Sequence, residues 1–338
     1  MKISETRRLI QVKGCYGDYM PVGQFRVAHV GLGKTASTFL QKRFFSEIDM
    51  PVFSTDPSSH WPEELNWLRS INRVWMKDFY TERLFWSRKE REAYFCAQVD
   101  QARESWVLSG KEFVEKSGGA LLLSAEGLCG FSIPVAKYIG NLLHDIGIEK
   151  IIFVFRGQAD WSISLWRQLI LAEDRFARYV SFEDLFGNMS SDGKCAPLDM
   201  DWMGYLNSYR EIFGAQNVLA VPYERLVHEA PMFFEEVSRF MGVKSKRLPD
   251  FSQRENLSQE DNFYLAWKMG GDSRLLRAYP LRMLLHNKKR SFLSLCFKKE
   301  PITNFNHDFR IKIMQHFRDS NQELSNQTGY NLASYGYF

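Results

Sequence analysis

The chain has 338 residues, 45% of them hydrophobic and 25% charged, with a formal net charge of +4; this is ample for a large buried core, and the mild excess of base suits an anionic ligand but is too small to argue for nucleic acid. Cys15, Cys96, Cys129, Cys195 and Cys296 stand far apart without a CxxC pair, which speaks against a zinc site or a disulfide framework and for a reducing compartment. The first residues carry no apolar core of a secretory leader and no apolar run reaches bilayer length, so a cytoplasmic location is expected.

The first expected element is a buried strand over 25–30. It runs into His29-Val30-Gly31-Leu32-Gly33-Lys34-Thr35-Ala36-Ser37-Thr38-Phe39-Leu40-Gln41, the pattern of a strand, a tight turn and a helix start. Gly31 and Gly33 allow close backbone approach. The amides that open the following helix favour an anion, helped by the helix dipole. Lys34 adds a mobile positive charge, and Thr35, Ser37 and Thr38 add hydroxyls. Leu40, Phe44 and Ile48 recur at helical steps. Gly33-Lys34-Thr35 matches the end of the Walker A pattern, but its first glycine would fall at position 28, where Ala28 stands. No strand ends in a magnesium-binding acid: 121–124 leads into Ala125-Glu126, and 151–155 into Arg156. The loop reads as a phosphate cradle without a metal arm. No metal is expected, and a nucleotide-dependent kinase or ATPase is the alternative reading.

Residues 51–118 are long, aromatic and charged, with Trp61, Trp67, Trp75 and Trp86. They are expected to form a mainly helical insertion, either lining an acceptor cleft or packing over the sheet. A second strand is expected at 120–124. Glu126 follows at the carboxyl edge, where open α/β sheets bind ligands; the plainer alternatives for it are a helix cap or a lysine partner. A helix over 135–146 precedes a third strand at 151–155, which ends in Arg156, and a helix over 161–171 follows. Trp161 and Trp166 read as packing residues of that helix. The helix over 200–213 stops at Gly214, a fourth strand covers 218–221, and a helix over 232–241 lies between Pro231 and Gly242. Strands alternating with helices imply a doubly wound α/β domain with parallel pairing. His29, lying in a strand, is a weaker candidate base than Glu126. Residues 287–299 mix basic and apolar side chains and suit an anionic membrane face or a polyanionic acceptor; a solvated element with one buried face is the plainer reading.

K-T-x-S-T-x-L-Q after a strand resembles the 5′-phosphosulfate loop of the sulfotransferases that use 3′-phosphoadenosine-5′-phosphosulfate (PAPS). Arg156 at a strand end with Ser164 eight residues later resembles the family's 3′-phosphate signature, and arginine presents a fork suited to phosphate oxygens. The stretches 221–226 and 320–337 are similar to bacterial members. The resemblance implies one domain over 1–338: a donor-binding core at 24–50 and 119–245, the insertion 51–118, and a helical region at 255–338. It implies that Gly33, Lys34, Thr35, Ala36, Ser37, Thr38, Arg156 and Ser164 bind PAPS, joined by Arg254 in a segment resembling a late part of the donor site. It also implies that Lys34 stabilises the leaving phosphate. Glu126 stands where it resembles the catalytic glutamate of the glycosaminoglycan sulfotransferases. Two departures are Ala36, where the family often has glycine and where alanine fits if helical, and Gly157-Gln158, where many members have Asp-Pro or Asn-Pro. The acceptor implied is a bacterial cell-surface saccharide or a glycolipid, met at the inner face of the membrane through 287–299, with no role for nucleic acid.

Overall fold

The computed structural model describes residues 25–54, 65–68, 70–71, 88–172, 199–243 and 303–338, with 166–172 and 303–306 described by backbone alone. Arg254, the basic segment 287–299 and the side chain of Trp166 lie outside what is described. Five parallel strands form one sheet: β1 (Arg26–His29), β2 (Val52–Ser54), β3 (Leu121–Ser124), β4 (Lys150–Phe155) and β5 (Val218–Pro222), in the order β2-β3-β1-β4-β5. Four of these are the apolar runs expected from sequence. The fifth, β2, lies inside the stretch expected to be a helical insertion. It pairs with β3 from Val52↔Leu122 to Ser54↔Ser124 and forms the sheet edge. Among its described residues that stretch also holds the helices α2 (Arg88–Asp100) and α3 (Arg103–Lys116).

Successive strand residues feed two separate cores, as a period of two requires. Ala28, Leu121, Leu123, Ile151, Phe153 and Phe155 belong to one; Val27, Leu122, Ile152 and Val154 belong to the other. The first core is closed by α4 (Ile133–Asp145) and α6 (Trp202–Phe213). Ile139, Leu142 and Leu143 of α4 meet Tyr205, Leu206 and Tyr209 of α6 there. The second is closed by the helical stretch after β1, through Leu40, Phe44 and Phe45, and by α8 (Ala230–Met241), through Phe233, Phe234 and Val237. The sheet is therefore buried on both faces, which is why its strands read as unbroken apolar runs. α5 (Gln158–Ala172) follows β4, and α7 (Tyr223–His228) follows β5. The described chain ends in α9 (Thr303–His316) and α10 (Arg318–Thr328).

The strand order places the chain's reversal at β1. From β1 the chain moves outward on one side to β2 and back to β3, then crosses to β4 and β5 on the other side. The carboxyl ends of β3, β1 and β4 stand side by side at this crevice, the usual ligand position in an open α/β sheet.

Candidate functional site

The loop after β1 departs from helical geometry at two non-glycine residues, Lys34 (φ 71°) and Ala36 (φ 63°). Both lie in the left-handed region, which costs an L-residue about 1–2 kcal/mol. Ala36 is thus not helical, so the condition under which alanine would fit here without strain is not met. It is the residue before the helical turn Ser37–Phe39, so the glycine often found here in the resembling family would relieve real strain. The turn continues through a wider-wound stretch, Leu40–Phe44. Within the loop the Thr35 amide and hydroxyl both donate to the Leu32 carbonyl, at 3.3 and 2.5 Å. The amides of Ser37 and Thr38, at a helix start, have no intrahelical acceptor and remain available to an anion. Gly31 is required by close approach: a β-carbon there would lie 2.8 Å from both His29 Nε2 and Ser37 Oγ.

Beneath the loop a polar chain ties three elements together. Gln41 Nε2 donates to the Ser124 carbonyl (3.0 Å) and to Ser124 Oγ (3.1 Å), which lies 2.8 Å from His29 Nδ1. His29 is fully buried, and burial pushes its pKa down to about 3. A neutral, sealed imidazole of such low basicity is poorly suited to take an acceptor proton. It serves instead as the partner of Ser124 at the ends of β1 and β3.

Glu126 opens the short turn Glu126–Cys129 just past β3. A β-carbon on Gly33 would lie 3.5 Å from Glu126 Oε2, so this carboxylate borders the loop. Burial raises the Glu126 pKa, against the attraction of Lys34, which would lower it. Burial lowers the Lys34 pKa, opposed by Glu126 and reinforced by Arg156. Lys34 thus lies close enough to feel the charge of both Glu126 and Arg156, and the three are delivered by the ends of different neighbouring strands. Two cations beside a carboxyl of raised pKa are groups that suit transfer of an anionic group.

Arg156 directly follows β4. Its Nη1 donates to the Lys34 carbonyl at 3.2 Å, and its guanidinium lies 4.6 Å from the centre of the Tyr223 ring. Its buried Nε has no hydrogen-bond acceptor among the described residues, leaving a donor for an incoming anion. Ser164, two turns into α5, is partly exposed. Trp161, expected as a packing residue, is buried edge-on against Trp202 at 5.4 Å. Its Nε1 also donates to the Gly33 carbonyl at 2.9 Å, and Trp202 Nε1 donates to the Arg156 carbonyl at 2.8 Å. These two indoles brace the loop and the Arg156 turn. Only the N–H on each buried ring hints at that role in the sequence.

The fold and site define a parallel α/β protein with Lys34, Glu126 and Arg156 at the carboxyl edge of its sheet. No family model and no curated protein matches the sequence. Among solved structures, the chain is similar to a sulfotransferase from Alicyclobacillus acidocaldarius at 14% identity, covering 80% of this chain and 99% of that one with a TM-score of 0.41. It is also similar to a mouse sulfotransferase complexed with PAP, at 11% identity, covering 88% of this chain and 87% of that one with a TM-score of 0.38. Among the described residues no helix is long and apolar enough to cross a membrane.

Proposed function

We propose that this chain transfers a sulfuryl group from PAPS to a hydroxyl or amine of a saccharide or glycolipid acceptor. The observation that carries the reading is the meeting of Lys34, Glu126 and Arg156 at the ends of β1, β3 and β4. Two separate cations suit a ligand with two separate phosphate groups. The fit to such a donor rests on the left-handed turn at Lys34 and Ala36, the free helix-start amides, and the unmatched Nε of Arg156. In this reading the loop 33–38 holds the 5′-phosphosulfate, and Arg156 with Ser164 holds the 3′-phosphate.

The acceptor oxygen forms a bond to sulfur while the bond from sulfur to the bridging phosphate oxygen breaks. The leaving phosphate keeps the electron pair, and the acceptor proton passes to Glu126. Lys34 stabilises the charge that grows on the bridging oxygen. The raised pKa of Glu126 makes it a stronger base than an exposed carboxylate. No step in this scheme needs a metal, so a chelator should leave turnover intact, whereas a kinase would lose it.

The test is ligand discrimination. Wild-type protein should bind 3′-phosphoadenosine-5′-phosphate well above adenosine-5′-phosphosulfate. Arg156→Ala should weaken the former by roughly 2–4 kcal/mol and the latter far less. Equal losses for both ligands in calorimetric titrations would sink the assignment.

A further inference from the structure

The turn that carries Arg156 is fixed by residues distant in sequence. The Phe155 ring meets Tyr337 edge-on at 6.0 Å. The Gly157 amide donates to Glu224 Oε1 at 3.0 Å, and the Tyr337 hydroxyl donates to Glu224 Oε2 at 2.7 Å. Gln158 and Asn321 exchange a reciprocal pair of amide hydrogen bonds at 2.8 and 3.0 Å, and Asn321 Nδ2 also donates to the Tyr337 carbonyl at 3.1 Å. Tyr337 is 1% exposed and Asn321 fully buried.

Glu224 is the hinge of this set. Burial raises its pKa, opposed first by the hydrogen bonds from Gly157 and Tyr337 and more weakly by the charge of nearby Arg156. A buried carboxylate beside an arginine ordinarily closes a direct, often bidentate, ion pair with it. Here each carboxylate oxygen is taken by a neutral donor, and the guanidinium rests on the Lys34 carbonyl and over the Tyr223 ring instead.

We propose that Glu224 and Tyr337 are positioning residues for Arg156: the Tyr337 hydroxyl, by holding Glu224 Oε2, keeps the carboxylate from capturing the guanidinium and leaves the arginine fork free for the donor's 3′-phosphate. This rests on the sulfotransferase reading of Arg156. Removing the hydroxyl frees one oxygen of Glu224, which then competes with the ligand phosphate for the same fork. Neutralising Glu224 as well removes the competitor.

The experiment measures calorimetric affinity for 3′-phosphoadenosine-5′-phosphate and for adenosine-5′-phosphate, with a melting curve for each protein. Tyr337→Phe keeps the ring and should weaken binding of the 3′-phosphorylated ligand about tenfold, with the other ligand nearly unchanged. Adding Glu224→Gln should recover most of that loss. A purely structural role predicts instead that the second change compounds the first and that both ligands suffer alike. An undiminished Tyr337→Phe affinity, equal losses for both ligands, or no recovery in the double variant would each overturn the proposal. Should Tyr337→Phe fail to fold, Glu224→Gln alone decides: the preference for the 3′-phosphate should equal or exceed wild type, and a fall in it overturns the proposal. A wild-type protein indifferent to the 3′-phosphate overturns the donor reading itself, and is thereby told apart from failure confined to the variants.

Discussion

The loop 31–38 and the turn at 156–158 face the same crevice, yet the loop's left-handed turn and its Thr35–Leu32 bonds are set within the loop itself, while the turn is held by Trp202, Glu224, Asn321 and Tyr337. Hydrogen bonds also tie the two together. The loop carbonyls of Gly33 and Lys34 accept hydrogen bonds from Trp161 and Arg156, on the β4 side. A locally encoded cradle is thus aimed by a part of the molecule that distant residues assemble. Damage to the remote supports should therefore reach both.

The largest expected effect lies between the two regions. Glu126→Gln should lower turnover by roughly a hundredfold or more, with donor affinity near wild type, because both anion arms are left intact. Stability should move the other way. The folded-state pKa of Glu126 is raised by burial, so its ionised form opposes folding, and protonation favours the folded state as pH falls through that pKa. The glutamine variant should therefore melt at or above the wild-type temperature at neutral pH, and the gap should close on acidification. Normal turnover in Glu126→Gln would place the base elsewhere.

Asn321→Leu probes the remote supports. It strips partners from the buried Gln158 side chain and from the Tyr337 carbonyl, and should cost about 2–3 kcal/mol of stability in denaturant unfolding. Donor affinity should weaken with it, since the turn at 156–158 loosens. An unchanged midpoint and affinity would mean the turn does not need this support.

Ala36→Gly is the smallest effect and the local counterpart. It relieves the left-handed strain at φ 63°, offset in part by the greater freedom of glycine in the unfolded chain. A net gain of about 0.5–1 kcal/mol is expected, with donor affinity unchanged or slightly better. Loss of stability would show that the alanine methyl makes a contact worth more than its strain.

The same contrast explains what could be read from the sequence. Four strands were legible because both faces of the sheet are buried, so 25–30, 120–124, 151–155 and 218–221 stand out as apolar runs. β2 was not, because Val52–Ser54 is three residues long at the sheet edge and follows Pro51 without any run. The loop was legible as a strand, turn and helix start because its parts are consecutive in sequence. The left-handed turn at Ala36 was not, since alanine gives no hint of a positive φ. Glu224 and Tyr337 lie within the stretches 221–226 and 320–337 that resemble the bacterial sulfotransferases, but their bond spans 113 positions and follows no period. Gln41 was noticed as part of a pattern, and its physical task, holding Ser124 beneath the loop, emerged only in three dimensions.

The hook from Tyr337 to Glu224 has a consequence for how the protein is made. A ribosome releases the cradle early, with β1, but the turn carrying Arg156 gains its last brace only after some 180 further residues have emerged (Arg156 to Tyr337). Domains tend to fold as units during synthesis, and contacts this far apart in sequence form late and slowly. In the proposed donor site, the nascent chain therefore carries the first anion arm without the second until then. Ligand capture becomes a sign that translation has passed Tyr337, and a chain cut short before it should be left with a cradle whose second anion arm is slack.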